Sequence, residues 1–152
     1  MVRKYLCVFA VLCFLTGCGV TAWEDLKPPD LTISAGEEDL SYTLGTFTWS
    51  ENKRSVSSDA PSLLDHADVT NDVEAGETVS IDFAQEPDLI EVGVWEDEEV
   101  VFKQLAGNTI TLPNDEKSDV LYVIRAEWPE GDALYSLSIK TTTLTSVRGS
   151  LW

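Results

Sequence analysis

Apolar and polar residues alternate with a period of two along much of the chain, which marks strands, because successive side chains of an extended backbone point to opposite faces of a sheet. Val79, Ile81 and Phe83 fall on one face, with Thr78, Ser80 and Asp82 on the other. Ile90, Val92 and Val94 repeat the pattern after Pro87. Val120, Tyr122, Ile124, Ala126 and Trp128 repeat it opposite Arg125 and Glu127, and Tyr135, Leu137 and Ile139 alternate with Ser136, Ser138 and Lys140. One dry and one wet face per strand is the pattern of antiparallel sheets. Between the last two runs, Pro129-Glu130-Gly131-Asp132 predicts a hairpin, with proline presetting φ and glycine tolerating positive φ.

Shorter strands are expected over 31–33, 99–103 and 108–112, and a longer one over 40–49. In the longer one the apolar phase changes at Gly45, from Leu40, Tyr42 and Leu44 to Phe47 and Trp49, which predicts a bulge at the glycine. About seven or eight short strands separated by turn signals indicate an all-β fold, an antiparallel immunoglobulin-like β-sandwich, with a small closed barrel as the alternative. From Glu51 to Gly76 no strand is evident, although that connection is longer than the roughly 12–15 residues usual for unstructured loops. Within it, Asp59-Ala60-Pro61 ahead of Leu63 and Leu64 is a start signal for a helical turn. Two readings stand: the leucines cover a sheet edge, or the segment is a binding loop.

The first residues follow another pattern. Arg3 and Lys4 precede an apolar run from Tyr5 to Leu15, then Thr16, Gly17 and Cys18. The run is shorter than the roughly 20 residues a membrane-spanning helix needs, and a short apolar stretch closed by small residues reads as a cleavable signal peptide. Leu15-Thr16-Gly17-Cys18 resembles the lipobox of bacterial lipoproteins, with Cys18 at the lipidated position. That resemblance implies a diacylglyceryl and acyl (palmitate-type) anchor on Cys18, and two or more chains hold a protein stably where one is marginal. The expected organisation is a signal peptide over 1–17, a lipidated tether over 18–29, a sandwich domain over 30–142 and a flexible tail over 143–152.

Downstream, Gly45-Thr46-Phe47-Thr48-Trp49, then Asp59-Ala60-Pro61, then the segment Trp128-Pro129-Glu130-Gly131-Asp132-Ala133-Leu134-Tyr135 keep an order and spacing that resemble a group of small Bacillus-type lipoproteins. Phe47 stands where tyrosine is commoner in that group, and Pro61 lies closer to Asp59-Ala60 than its pattern has it. The resemblance spans most of residues 28–140. It implies an extracytoplasmic β-sandwich and assigns no catalytic role to any matched residue.

Charge and cysteine usage narrow the function classes. Cleavage before Cys18 leaves 135 of the 152 residues and, by removing Arg3 and Lys4, takes the formal net charge from −17 to −19. So acidic a surface lacks the Lys and Arg that displace counterions from phosphates, which excludes simple electrostatic nucleic-acid binding. It also repels an anionic leaflet, leaving the acyl chains to hold the membrane. Of the three cysteines only Cys18 remains after cleavage, so the mature domain has no disulfide.

No catalytic constellation stands out. His66 is the single histidine, no Gly-x-Ser-x-Gly elbow is present, and with 27 acidic residues some carboxylates fall close together by chance. The acidic runs Glu37-Glu38-Asp39, Glu96-Asp97-Glu98-Glu99, and Asp115-Glu116 with Asp119 lack the spacing of a calcium loop and read as turn tips, with weak calcium binding as the sharper alternative. One histidine and no free thiolate leave zinc without its usual ligands. Of the five tryptophans, Trp128 belongs to an inward strand face, while Trp49 and Trp95 form a candidate binding surface for a protein or glycan, if both reach solvent on one side.

The sequence thus points to a lipoprotein on the extracytoplasmic face of the cell membrane. It is expected to be no enzyme, to use no cofactor and to bind an envelope protein partner as an accessory module, with calcium or a cell-wall glycan as the alternative ligand.

Overall fold

Each run of alternation is a strand in the computed structural model, which describes residues 26–59 and 69–143. Twelve strands follow in chain order: β1 (Leu31–Ala35), β2 (Glu38–Asp39), β3 (Thr43–Glu51), β4 (Arg54–Ser58), β5 (Thr70–Glu74) and β6 (Thr78–Phe83), then β7 (Leu89–Glu96), β8 (Glu99–Val100), β9 (Lys103–Gln104), β10 (Thr109–Thr111), β11 (Lys117–Trp128) and β12 (Gly131–Thr142). They form two sheets. One is ordered β10-β6-β1-β2; the other is ordered β4-β3-β12-β11-β7-β8, with β5 also on β12 and β9 also on β7. Pairing is antiparallel throughout the described residues except for β5, which runs parallel to the second half of β12.

The inward faces expected from alternation meet between the sheets. Ile33, Val79 and Ile81 from the first sheet join Tyr122, Ile124, Ala126, Tyr135, Leu137 and Ile139 from the second in one buried cluster. Trp128 packs edge-on against Phe83 at 5.1 Å and against Trp49 at 5.5 Å, so one ring ties β6 of the first sheet to β3 and β11 of the second. Its indole N–H donates to the Gln85 carbonyl at 3.0 Å.

The phase change at Gly45 is a bulge: Ala133 pairs with Phe47 but Tyr135 pairs with Leu44, so β3 carries one extra residue there. The hairpin between β11 and β12 also forms, closing at the pair Trp128 and Gly131. Its glycine serves a different purpose from the one expected. Gly131 does not adopt positive φ; instead a Cβ there would lie 1.9 Å from the Thr48 carbonyl oxygen, so the residue lets β3 and β12 approach.

The stretch from 51 to 76 corrects the sequence reading, because it contains β4 and β5. Each has a single apolar residue, Val56 or Val73, among polar ones. They are strands because β3 and β12 offer unpaired backbone groups beside them, a pairing that period-two patterning does not record. The segment expected over 99–103 is also split, into β8 and β9 around Val101 and Phe102. Leu26 is 3% exposed and packs into the core, and Pro28 is buried as well, so these two residues of the expected tether lie against the domain.

Tyr135 is 2% exposed and its hydroxyl has no hydrogen-bond partner among the described residues. Burial pushes its ionisation well above the ordinary tyrosine value, with Tyr42 and Asp30 adding to the shift, and burial raises Tyr122 in the same direction. The folded protein therefore keeps protons that the unfolded chain releases near pH ~10, so this stabilising contribution is complete below that pH and is lost as pH rises beyond it. Tyr135→Phe deletes an unsatisfied buried hydroxyl and is expected to raise stability by about 1 kcal/mol, or several degrees in Tm. Thermal melts at neutral pH and at pH ~11 check both points: the variant should melt higher and lose less on going alkaline, and a lower neutral Tm would show that the hydroxyl has a partner.

Candidate functional site

The two sheets part along one seam, and a separate recess of about 450 Å³ opens beside Pro28, Pro29, Trp49 and Gln85. Along the open seam the edge strand β10 of the first sheet faces β7 and β9 of the second. Here the apolar residues are only partly buried: Ile90, Val92, Val94, Leu105 and Ile110 pack on the core without being enclosed by it. All but Leu105, which follows β9, belong to strands whose neighbours run out, since β10 ends its sheet and only two-residue strands flank β7 on this side.

The result is a groove with two connected lobes. The lobe beside Val92, Val94, Ile110 and Tyr122 has a volume of about 730 Å³. The other, beside Phe83, Leu89, Ile90 and Asn108, has about 430 Å³, and Gln104 and Leu105 line both. The floor is apolar and the rim is acidic. Glu96, Asp97 and Glu99 edge the larger lobe, Asp82, Glu86 and Asp88 edge the smaller one, and Lys103 is the one basic residue lining either. Asp82 accepts a 2.7 Å hydrogen bond from the Asn108 amide, which fixes one wall. Val101, 71% exposed, stands at the mouth of the larger lobe.

Local geometry explains this mouth. A Cβ on Gly93 would lie 2.4 Å from Val100 Cγ1 and 2.9 Å from the Val101 carbonyl, so glycine is what lets the chain between β8 and β9 cross β7 closely. The crossing carries Phe102 onto the Arg125 guanidinium, 4.8 Å from the ring centroid. Arg125 also pairs with Glu91 and lies 3.7 Å from Glu127, which anchors the crossing to the outer sheet face.

The sequence candidates are placed differently from one another. Cys18, His66, Leu63 and Leu64 lie outside the described residues, as does the expected tail beyond Thr143. Trp128 is in the core as expected. Trp49 is 6% exposed, held between strands by its contact with Trp128, so the two-tryptophan face does not form. Trp95 is half-buried opposite Val100, on the strand face it shares with Glu91 and Gly93.

The acidic runs sit at turns: 36–37 joins β1 to β2, and Asp97 and Glu98 form the tip between β7 and β8, both at positive φ. Asp119 sits in the bulge at the start of β11 and accepts from the Thr70 hydroxyl at 3.4 Å. Among the described residues no three His, Cys, Asp or Glu side chains converge on a point where an ion would bind.

Alternation in the sequence puts Phe83, Ile90, Val92, Val94 and Tyr122 on inward faces and marks Glu96, Asp97 and Glu99 as a turn tip, but it does not single out Leu105 or Ile110 or bring these residues together. Their incomplete covering depends on which strands end a sheet, and no local pattern reports that. Among the described residues no helix is long and apolar enough to cross a membrane, which leaves a lipid anchor open. No protein-family model, no curated protein and no solved structure matches the chain.

Proposed function

We propose that the chain is a lipid-anchored, extracytoplasmic binding module with an immunoglobulin-like domain, acting without catalysis as an accessory to another protein of the cell envelope. The single observation that carries the binding reading is the groove: an apolar floor left open along the seam between the two sheets of a β-sandwich-like frame. Concave sites of several hundred cubic ångströms, lined mainly by apolar side chains with a few polar ones, are where proteins hold ligands. The topology supports the finer fold assignment, since β1-β6-β10 and β12-β11-β7-β8 follow the A-B-E and G-F-C-C′ orders of that fold, with the β3–β4 hairpin and β5 inserted before its second strand. The lipobox-like Leu15-Thr16-Gly17-Cys18 supports the anchor.

Crosslinking intact cells that express the protein at native level, followed by mass spectrometry, tests the reading. One dominant envelope protein captured with it supports an accessory role. Capture of wall fragments or lipid alone, with the protein confirmed at the surface, overturns it.

The anchor has its own test. Cys18→Ser is expected to abolish incorporation of a labelled fatty acid and to move the protein from the membrane to the soluble fraction. Unchanged membrane association would remove lipidation from the proposal.

A further inference from the structure

We infer that the groove takes an extended peptide with an apolar centre and basic ends, laid beside β10 as an added strand; the inference rests on the binding role proposed above and names the partner's chemistry.

Thr109, Ile110 and Thr111 pair with Ser80, Val79 and Thr78. Ile81 donates to the Asn108 carbonyl at 2.8 Å and Leu112 donates to the Glu77 carbonyl at 2.9 Å. Antiparallel ladders alternate, so positions 108, 110 and 112 spend their backbone groups on β6, while Thr109 and Thr111 turn theirs the other way. On that side β10 has no neighbouring strand among the described residues. The groove therefore offers a row of peptide donors and acceptors spaced for a strand, which is the recognition mode in which main-chain bonds supply affinity and pockets for alternate side chains supply selectivity.

Side-chain chemistry selects the occupant. A strand beside β10 would send alternate residues onto Val92, Val94, Leu105 and Ile110, a floor that favours aliphatic side chains. Both ends of the groove are anionic, through Asp82, Glu86 and Asp88 at one and Glu96, Asp97 and Glu99 at the other. Lys or Arg at each end of the peptide complements them, and an acidic segment is repelled. β7, which the groove follows, is eight residues long, so the span suits a peptide of about the same length.

The test uses the folded domain and a synthetic nine-residue probe with valine and isoleucine at alternating positions and two lysines at each end, measured by isothermal titration. Binding should be at least tenfold weaker for a probe with glutamates in place of the lysines, and should fall as salt rises.

Thr111→Pro is the decisive variant. It removes an outward N–H while leaving the β10–β6 ladder intact, since proline is tolerated on a free edge. It should weaken binding at least tenfold with the circular dichroism unchanged. Glu96→Lys with Glu99→Lys, an exposed pair flanking the turn between β7 and β8, should cut the preference for the lysine probe several-fold without reversing it, since Asp82, Glu86 and Asp88 still hold the other end.

No binding of the lysine probe, or equal binding to wild type and a folded Thr111→Pro, overturns the inference. If Thr111→Pro fails to fold, the Glu96→Lys, Glu99→Lys variant decides, and unchanged probe preference there overturns it. The cell-crosslinking result separates the two levels. A dominant partner whose capture survives both groove variants keeps the accessory role and removes the groove, whereas no partner and no probe binding remove both.

Discussion

Trp128→Ala is expected to cost about 3–5 kcal/mol, the range for deleting a large buried aromatic, out of a total folding stability of roughly 5–15 kcal/mol. The ring is 6% exposed and packs on both Phe83 and Trp49, so its loss opens a cavity between the sheets rather than at their margin. The Gln85 carbonyl also loses its donor. Trp128→Phe keeps much of the packing but not the N–H, and should cost about 1–3 kcal/mol from the unpaired carbonyl and the lost ring. Denaturant unfolding followed by circular dichroism measures both. A cost for Trp128→Ala below ~1 kcal/mol would mean that the sheets do not meet through this residue.

Gly131→Ala is the second large effect, expected near 3 kcal/mol, at the upper end of overpacking penalties. The added Cβ would meet the Thr48 carbonyl oxygen at 1.9 Å and the Trp49 Cα at 3.0 Å. Both are backbone atoms of the paired strand, so neither can swing aside as a side-chain tip would. Relief requires β3 to move off the start of β12, which breaks the bond from the Ser50 N–H to the Glu130 carbonyl and shifts Trp49 against Trp128.

Gly107→Ala makes the contrast. Its φ is +101° and no atom lies within 4 Å of the added carbon, so it costs only the backbone strain, about 1 kcal/mol. Equal losses in the two variants would show that Gly131 is needed for backbone conformation, as the turn sequence alone suggests, and not for strand approach. Tryptophan fluorescence should report the difference, changing for Gly131→Ala and staying constant for Gly107→Ala.

The predictions draw on features that were unequally legible in the sequence. The strands β6, β7, β11 and β12 and the inward placement of Trp128 follow from period-two alternation, because a residue's sheet face is a property of its own backbone. The same holds for the Gly45 bulge, which is written as a change of phase, and for the acidic turn tips. The hairpin at Pro129 was legible in position, but the need for Gly131 was not, since the atom it avoids belongs to Thr48 in another strand.

β4 and β5 were missed for a related reason: polar segments become strands when a neighbouring strand has backbone groups to satisfy, and that neighbour is chosen by the fold. Trp49 illustrates the limit for sites. Its place after the bulge leaves its exposure undetermined, and it is buried by residues distant in the chain, Trp128 from β11 among them.

Sequence by itself determined the fold class, the order and faces of the longest strands, and the strong negative charge, all set by residues close together in the chain. The groove was decided by tertiary structure alone. Its floor and rim come from β6, β7, β8, β9, β10 and β11 with the turns between them, and its existence depends on where each sheet stops pairing, a property of how the strands are ordered in space.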